Sequence, residues 1–192
     1  PDAGVGEHSY IPPGFPQQSI TLGEEYDWNN MPIQITSSSP QNQIHAIALL
    51  MYHCGVTINM GYGADGSGAY SEDVPEAMSS HFKYTEEMKH DYRDNYTKTQ
   101  WEDMLISNFD QGFPVYYAGQ SNASGGHAFI CDGYNDNRYI HFNWGWSGWN
   151  NGYFAIDAVN PQGYNFSDSQ RAIFDFIPDY AYNNMVPEIE FD

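Results

Sequence analysis

The chain is 192 residues long, with 6 basic against 25 acidic residues, a formal net charge of −19 and 17% aromatic residues. That length suits one domain with a sizeable core, or a large part of a slightly bigger one, and the aromatic content argues against disorder. So acidic a surface repels nucleic acid and anionic membranes, which excludes both as partners, and no apolar run reaches the roughly 18 residues of a membrane-spanning helix.

The opening PDAGVGEH carries no signal peptide and reads as a processed or excised beginning. Residues 1–39 are rich in Pro, Gly and Ser and read as loop, with Tyr26, Asp27 and Trp28 ahead of Met31 and Pro32 as a short extended piece. A first helix is expected over 40–54, with Ser39 as N-cap, Pro40 at N1 and Gly55 as its stop. Ile44, Ile47, Ala48 and Met51 form its expected buried stripe. Residues 56–60 alternate as a strand would and lead into a glycine-rich loop over 61–69. A second helix begins at Ser71 with Glu72 and Asp73 in its first turn, and buries Val74, Ala77, Met78 and Phe82. A third starts at Thr99, with Glu102 completing a capping box and Trp101, Met104, Leu105 and Phe109 facing inward until Gly112 ends it. Residues 114–118 are an expected strand and 120–124 a polar loop. After residue 156, Asn160 and Pro161 turn the chain, and residues 172–176 form a closing strand. Helices in the first half followed by antiparallel strands predict an α+β architecture.

The chemistry gathers in residues 125–156, GGHAFICDGYNDNRYIHFNWGWSGWNNGYFAI. Three strands are expected there, over 127–132, 138–144 and 152–156, with a tight turn at 135–137. Alternation puts His127, Phe129 and Cys131 on one strand face and Ala128, Ile130 and Asp132 on the other. Gly125 and Gly126 precede the imidazole, and without Cβ atoms they let an extended peptide come close to it. Antiparallel pairing brings Asn143, at the end of the next strand, near His127. An amide holding one ring nitrogen, with Trp144 keeping water off that bond, is the base-and-orienter half of a nucleophilic triad.

These residues support a resemblance. Asn143-Trp144-Gly145-Trp146, Trp149 and the ending NGYFAI look like the Asn-Trp-Gly region of papain-like cysteine peptidases. GGHAF, then HFNWGW, then GYFAIDAVNP resembles more closely the streptopain family of secreted bacterial cysteine peptidases. Streptopain-like spacing continues upstream through CGVTINMGYG and QGFPVYYAG, so the likeness covers residues 26–176. It implies a papain-like fold and a peptidase that acts through a Cys–His thiolate–imidazolium pair. His127 would be the catalytic base, with Asn143 or Trp144 fixing its ring. Protein or peptide substrates would be bound by Gly125, Gly126, Ser121, Trp146 and the loop Gly66, Ser67 and Gly68, the last three bordering the pocket for the residue two before the cut. The resemblance also implies a secreted or cell-surface zymogen with a propeptide, in a family linked to virulence, and no cofactor. In that family the nucleophile sits on an early helix within a Gly-Cys-Val-Ala-Thr-Ala pattern, and no such segment exists here. Residues 1–178 are therefore expected to be a catalytic domain lacking its nucleophile-bearing segment, with 179–192 an acidic tail or linker. Either the cysteine precedes Pro1 or it is truly absent, in which case the chain is a pseudoenzyme or a non-catalytic binding module on the same fold.

Neither cysteine of the chain suits the role. Cys131 shares a face with His127 but lies four residues along the strand, roughly 13 Å away. Cys54 ends a helix beside His53, and neighbours on a helix point about 100° apart. A buried free thiol and a Cys54–Cys131 disulfide both remain open for it, alongside a nucleophilic role. Metal chemistry is not expected: His127, His141, Asp132 and Asp136 lie close in sequence, but HExxH, paired CxxC and EF-hand spacings are missing. His141 is expected in a supporting or core position.

Overall fold

Gly55 decides how the first helix ends. In the computed structural model, which describes residues 3–121 and 125–180, α1 (Gln41–Thr57) runs straight through it. The glycine is buried, and a Cβ there would meet the Tyr62 hydroxyl at 2.4 Å. It packs beneath that hydroxyl and does not stop the helix, and the strand expected over 56–60 does not form: residues 56–57 belong to the helix and 58–59 to a turn. Pro40, in extended conformation, is the N-cap. The hydroxyl of Ser39 is turned to the Thr36 N–H instead.

The chain forms two compact units, Pro1–Glu86 with Pro178–Asp192, and Glu87–Ile177. The greater part of the expected acidic tail, 181–192, lies outside the described residues. In the first unit, β1 (Glu7–Tyr10) and β2 (Gln18–Thr21) pair antiparallel with Glu7 opposite Thr21, inside the stretch expected to be loop. The hairpin escapes notice because seven residues with three prolines separate its four-residue strands. Ile20 and Leu22 pack on Val56 of α1, and the Tyr10 hydroxyl donates to the Met60 carbonyl at 2.6 Å. A 3₁₀ turn, Ser71–Asp73, leads into α2 (Val74–Phe82), which buries Ala77 and Phe82 and ends on left-handed Lys83. Only Ala46, Gly55, Val56 and Thr57 of α1 are buried; Met51, expected inside, is 67% exposed, and Ala48 is also exposed.

The second unit is an antiparallel sheet with α3 (Lys98–Asp110) packed on it. Thr97 caps that helix, and the reciprocal partner is Gln100, not Glu102. Glu102 is buried instead against Arg138 at 3.0 Å. The strands are β3 (Lys89–Tyr92), β4 (Val115–Ser121), β5 (Gly125–Tyr134), β6 (Ile140–Asn143), β7 (Gly152–Phe154) and β8 (Asp168–Phe174). Their order is β3-β8-β4-β5-β6-β7. Trp101, Leu105, Tyr117, Phe142, Trp144 and Phe174 are essentially inaccessible, each side chain worth roughly 2–3 kcal/mol of burial. The polar tips are satisfied within this core. Trp101 Nε1 donates to the Tyr117 hydroxyl at 2.9 Å, which donates to Gln170 Oε1 at 2.5 Å, while Gln170 Nε2 donates to the Ile156 carbonyl. The architecture is α+β.

Candidate active site

Strand β5 carries the alternation read from the sequence: Phe129 and Cys131 point into the core, Ala128, Ile130 and Asp132 point out, and His127 is half-buried on the core side. Its cross-strand partner is Gly119 of β4. A Cβ on Gly119 would lie 2.1 Å from the Phe166 carbonyl oxygen, so only glycine lets the segment before β8 cross this close to the sheet. The crossing puts the Phe166 ring 5.4 Å from the imidazole.

His127 Nε2 is 2.8 Å from the carbonyl oxygen of Trp144. A carbonyl only accepts, so Nε2 bears the hydrogen and the lone pair of the neutral ring is on Nδ1. Trp144 is fixed in turn. Its side chain is fully buried, its backbone N–H donates to Asn151 Oδ1 at 3.1 Å, and its indole N–H donates to the Asn150 carbonyl at 2.9 Å. The loop reaches that geometry through left-handed residues at Gly145, Ser147, Gly148 and Asn150. Trp146 lies flat against the imidazole, with centroids 4.9 Å apart and planes 19° apart. Covering the ring thus falls to Trp146, where Trp144 had been expected.

Asn143 stands elsewhere. Register places it opposite Ile130, three residues from His127, and cross-strand partners share a face, so its exposed side chain belongs to the outer face of the sheet. Its Oδ1 accepts the Gly145 N–H at 3.1 Å. The expectation that this amide lies beside the imidazole is corrected: the short turn was taken to align the strand ends, whereas the bulge between Cys131 and Gly133 and the four-residue length of β6 shift them. His141 shares that outer face and is paired with Asp132 at 2.5 Å.

Gly125 has φ +78°, a conformation that favours glycine, and nothing lies within 4 Å of its missing Cβ; above Gly126 the nearest atom is at 3.8 Å. Ser121, opposite Gly125, is buried and offers little surface to a ligand. Gly66, Ser67 and Gly68 belong to the first unit, in a loop closed by paired Gly61 and Gly68 backbones. Ser67 rims an open cavity of about 750 Å³ there, lined also by Met51, Tyr52, Ile58, Met60 and Tyr62.

Both cysteines are free thiols. Burial pushes the Cys54 thiol up to about 11 and that of Cys131 well above the ordinary thiol range, so both stay protonated and poorly nucleophilic near neutrality. Among the described residues no group of three or more His, Cys, Asp or Glu is gathered as metal ligands would be, and no helix is long and apolar enough to cross a membrane. Gly119, Phe166, Asn150 and Asn151 were not singled out from the sequence. Their roles depend on register and on a crossing that no local pattern announces.

A base with an oriented ring and an open glycine edge is what acyl transfer by a thiol requires. The Peptidase C10 family model matches residues 1–154. The chain is 34% identical over 164 residues to the thiol protease/hemagglutinin PrtT of Porphyromonas gingivalis, covering 84% of the chain and 19% of that protein. To streptopain of Streptococcus pyogenes it is 35% identical over 137 residues, covering 71% of the chain and 34% of streptopain. The chain thus spans about a third of the length of streptopain and about a fifth of that of PrtT. Among solved structures, the active interpain A cysteine protease of Prevotella intermedia superposes with a TM-score of 0.83 at 36% identity, over 90% of this chain and 75% of that one. A prointerpain A fragment gives 0.76 at 35% identity, over 90% and 56%. The chain has the α+β fold of the interpain cysteine peptidase and belongs to the Peptidase C10 family.

Proposed function

We propose that this chain is the histidine-bearing part of a secreted cysteine endopeptidase. The observation that carries the reading is the single bond from His127 Nε2–H to the Trp144 carbonyl, which leaves Nδ1 as the basic nitrogen beside an open edge. Nδ1 takes the proton of a cysteine supplied by sequence preceding Pro1. The thiolate attacks the scissile carbonyl, and when the tetrahedral intermediate collapses the imidazolium returns its proton to the departing amine. Water then hydrolyses the thioester, with Nδ1 as base. The Trp144 carbonyl holds the ring and disperses its charge when protonated, taking the part first assigned to Asn143. No cofactor is needed beyond a reduced thiol.

The placement of the nucleophile rests on two further observations. Both resident thiols are held protonated by burial. And α1 is apolar on most sides, with Leu49 and Met51 exposed, as befits a helix that a further segment covers. In this reading residues 1–178 are a catalytic domain short of that segment. A peptide binds along Gly125 and Gly126 of the second unit, and in the first unit the loop at Gly66, Ser67 and Gly68 borders an apolar cavity at Ser67. A propeptide silences the enzyme before secretion.

The test compares two polypeptides on a fluorogenic peptide in the presence of a reductant. The present chain alone is expected to be inactive, and the polypeptide extended upstream to be active. Full activity of the isolated chain would sink the placement of the nucleophile, and inactivity of both, with peptide binding retained, would establish a non-catalytic binding module.

A further inference from the structure

The carbonyl that accepts from His127 belongs to a peptide unit whose other end is also engaged. The Trp144 oxygen and the Gly145 N–H lie in one rigid plane. The oxygen accepts His127 Nε2–H at 2.8 Å, and the N–H donates to Asn143 Oδ1 at 3.1 Å. The preceding peptide is held in the same manner, its Trp144 N–H donating to Asn151 Oδ1 at 3.1 Å. Both planes that flank the Trp144 Cα are thus pinned by a carboxamide, which fixes the two torsions that aim the carbonyl. The amides come from the two ends of one connection: Asn143 closes β6, and Asn151 immediately precedes β7. The chain between them passes through left-handed Gly145, Ser147, Gly148 and Asn150 and forms neither helix nor strand, so its ends must hold it.

We infer that Asn143 and Asn151 are positioning residues for the proposed base: together they clamp the Trp144 backbone so that its carbonyl meets the imidazole, and Asn143 acts on the ring through a peptide group without touching it. The inference rests on the peptidase reading and deepens it. One effect is geometric, because Nδ1 is presented to a thiol only while Nε2–H keeps a fixed acceptor. The other is electronic. A peptide N–H bonded to a carboxamide polarises its own peptide, and the oxygen at the far end becomes the better acceptor. A better acceptor favours the charged form of the donor, so the clamp stabilises the imidazolium of the ion pair over the neutral ring. Among the described residues, the rings packed against the imidazole are Phe129, Trp146 and Phe166, and its cross-strand partner is Gly119. None of these groups titrates, so none masks a change made at the carbonyl.

The test uses the upstream-extended polypeptide and the pH profile of kcat/KM on one fluorogenic peptide, for wild type, Asn143→Ala, Asn143→Asp, Asn151→Ala and Asn151→Asp. Each alanine is expected to lower kcat/KM about tenfold near neutrality. It should also move the alkaline limb, where the pair loses the imidazolium proton, down by about half a pH unit. Aspartate keeps an acceptor oxygen in the same place and adds a negative charge that favours the imidazolium. Each aspartate should therefore recover most of the rate its alanine loses, and move the limb upward. Both side chains are exposed, and thermal midpoints are recorded alongside. If an alanine variant fails to fold, the direction of the limb in the matching aspartate decides. Rates and limbs like wild type in all four variants overturn the clamp while leaving the peptidase reading intact. Lowered rates with an unmoved limb, in alanines and aspartates alike, mark structural damage alone and overturn it too. No cleavage of any peptide by wild type overturns both.

Discussion

The sheet of the second unit and helix α1 of the first handle apolar residues in opposite ways. Between the sheet and α3, Trp101, Tyr117, Phe142 and Trp144 are entirely enclosed, and their polar atoms find partners within the same unit. In α1, a run as apolar as IHAIALLMYHCGV buries three residues, Ala46, Gly55 and Val56, and leaves Leu49, Met51 and Tyr52 at the surface. The difference teaches where the base is finished. The imidazole, its hydrogen-bond acceptor and its aromatic cover come from one well-packed unit, so the base is set by local structure; among the described residues of its own unit, α1 leaves apolar side chains exposed.

The largest effect that would sharpen the contrast comes from Gly119. Gly119→Ala drives a methyl into the Phe166 carbonyl and should destabilise the second unit by about 3 kcal/mol, read as a fall in the denaturant midpoint. A loss below about 1 kcal/mol would show that the crossing yields easily and that the imidazole's surroundings are less fixed than described. Next come two substitutions on one helix. Val56→Ala, at an inaccessible site, should cost about 2 kcal/mol in the isolated chain, against less than about 0.5 kcal/mol for Met51→Ala. In the upstream-extended polypeptide Met51→Ala should become the more costly of its two values. Equal values in both polypeptides would break the comparison, because nothing would then be covering the helix.

The smallest effect is alkaline. The folded-state thiols of Cys54 and Cys131 titrate above their ordinary range, so between that range and about 11 the unfolded chain has released protons that the folded one still holds. Stability should be fully present below the ordinary thiol range and fall as pH rises through it. Denaturant midpoints measured from pH 7 to pH 10 check the sign, and a rise would contradict the burial of both groups.

Much of this was legible in the sequence, for identifiable reasons. The period-2 pattern of HAFICD and the aromatic run around NWGW carry β5, β6 and the candidate base, because a strand half-covered by a core writes its two faces into alternate residues. What could not be read depends on pairs far apart in the chain. Asn143 was misplaced because a bulge at Asp132 of β5 changes which residues face each other, and the alternation of HAFICD gives no sign of it. Gly55 looked like a helix terminator, although the helix runs two residues past it and the Tyr62 hydroxyl packs over it. The β1–β2 pair was hidden by its proline-rich connection, and the Thr97–Gln100 cap by a better-looking candidate two residues later.

The central claim is that His127 meets an incoming cysteine as one half of an ion pair. The measurement that tests it most directly is the rate of iodoacetamide alkylation of the full-length polypeptide between pH 5 and pH 8, with and without His127→Ala. The account predicts one cysteine, outside the present chain, alkylated rapidly even at pH 5–6, and slowed by about 100-fold or more when the imidazole is removed. Alkylation rates that His127→Ala leaves unchanged across that pH range would contradict it.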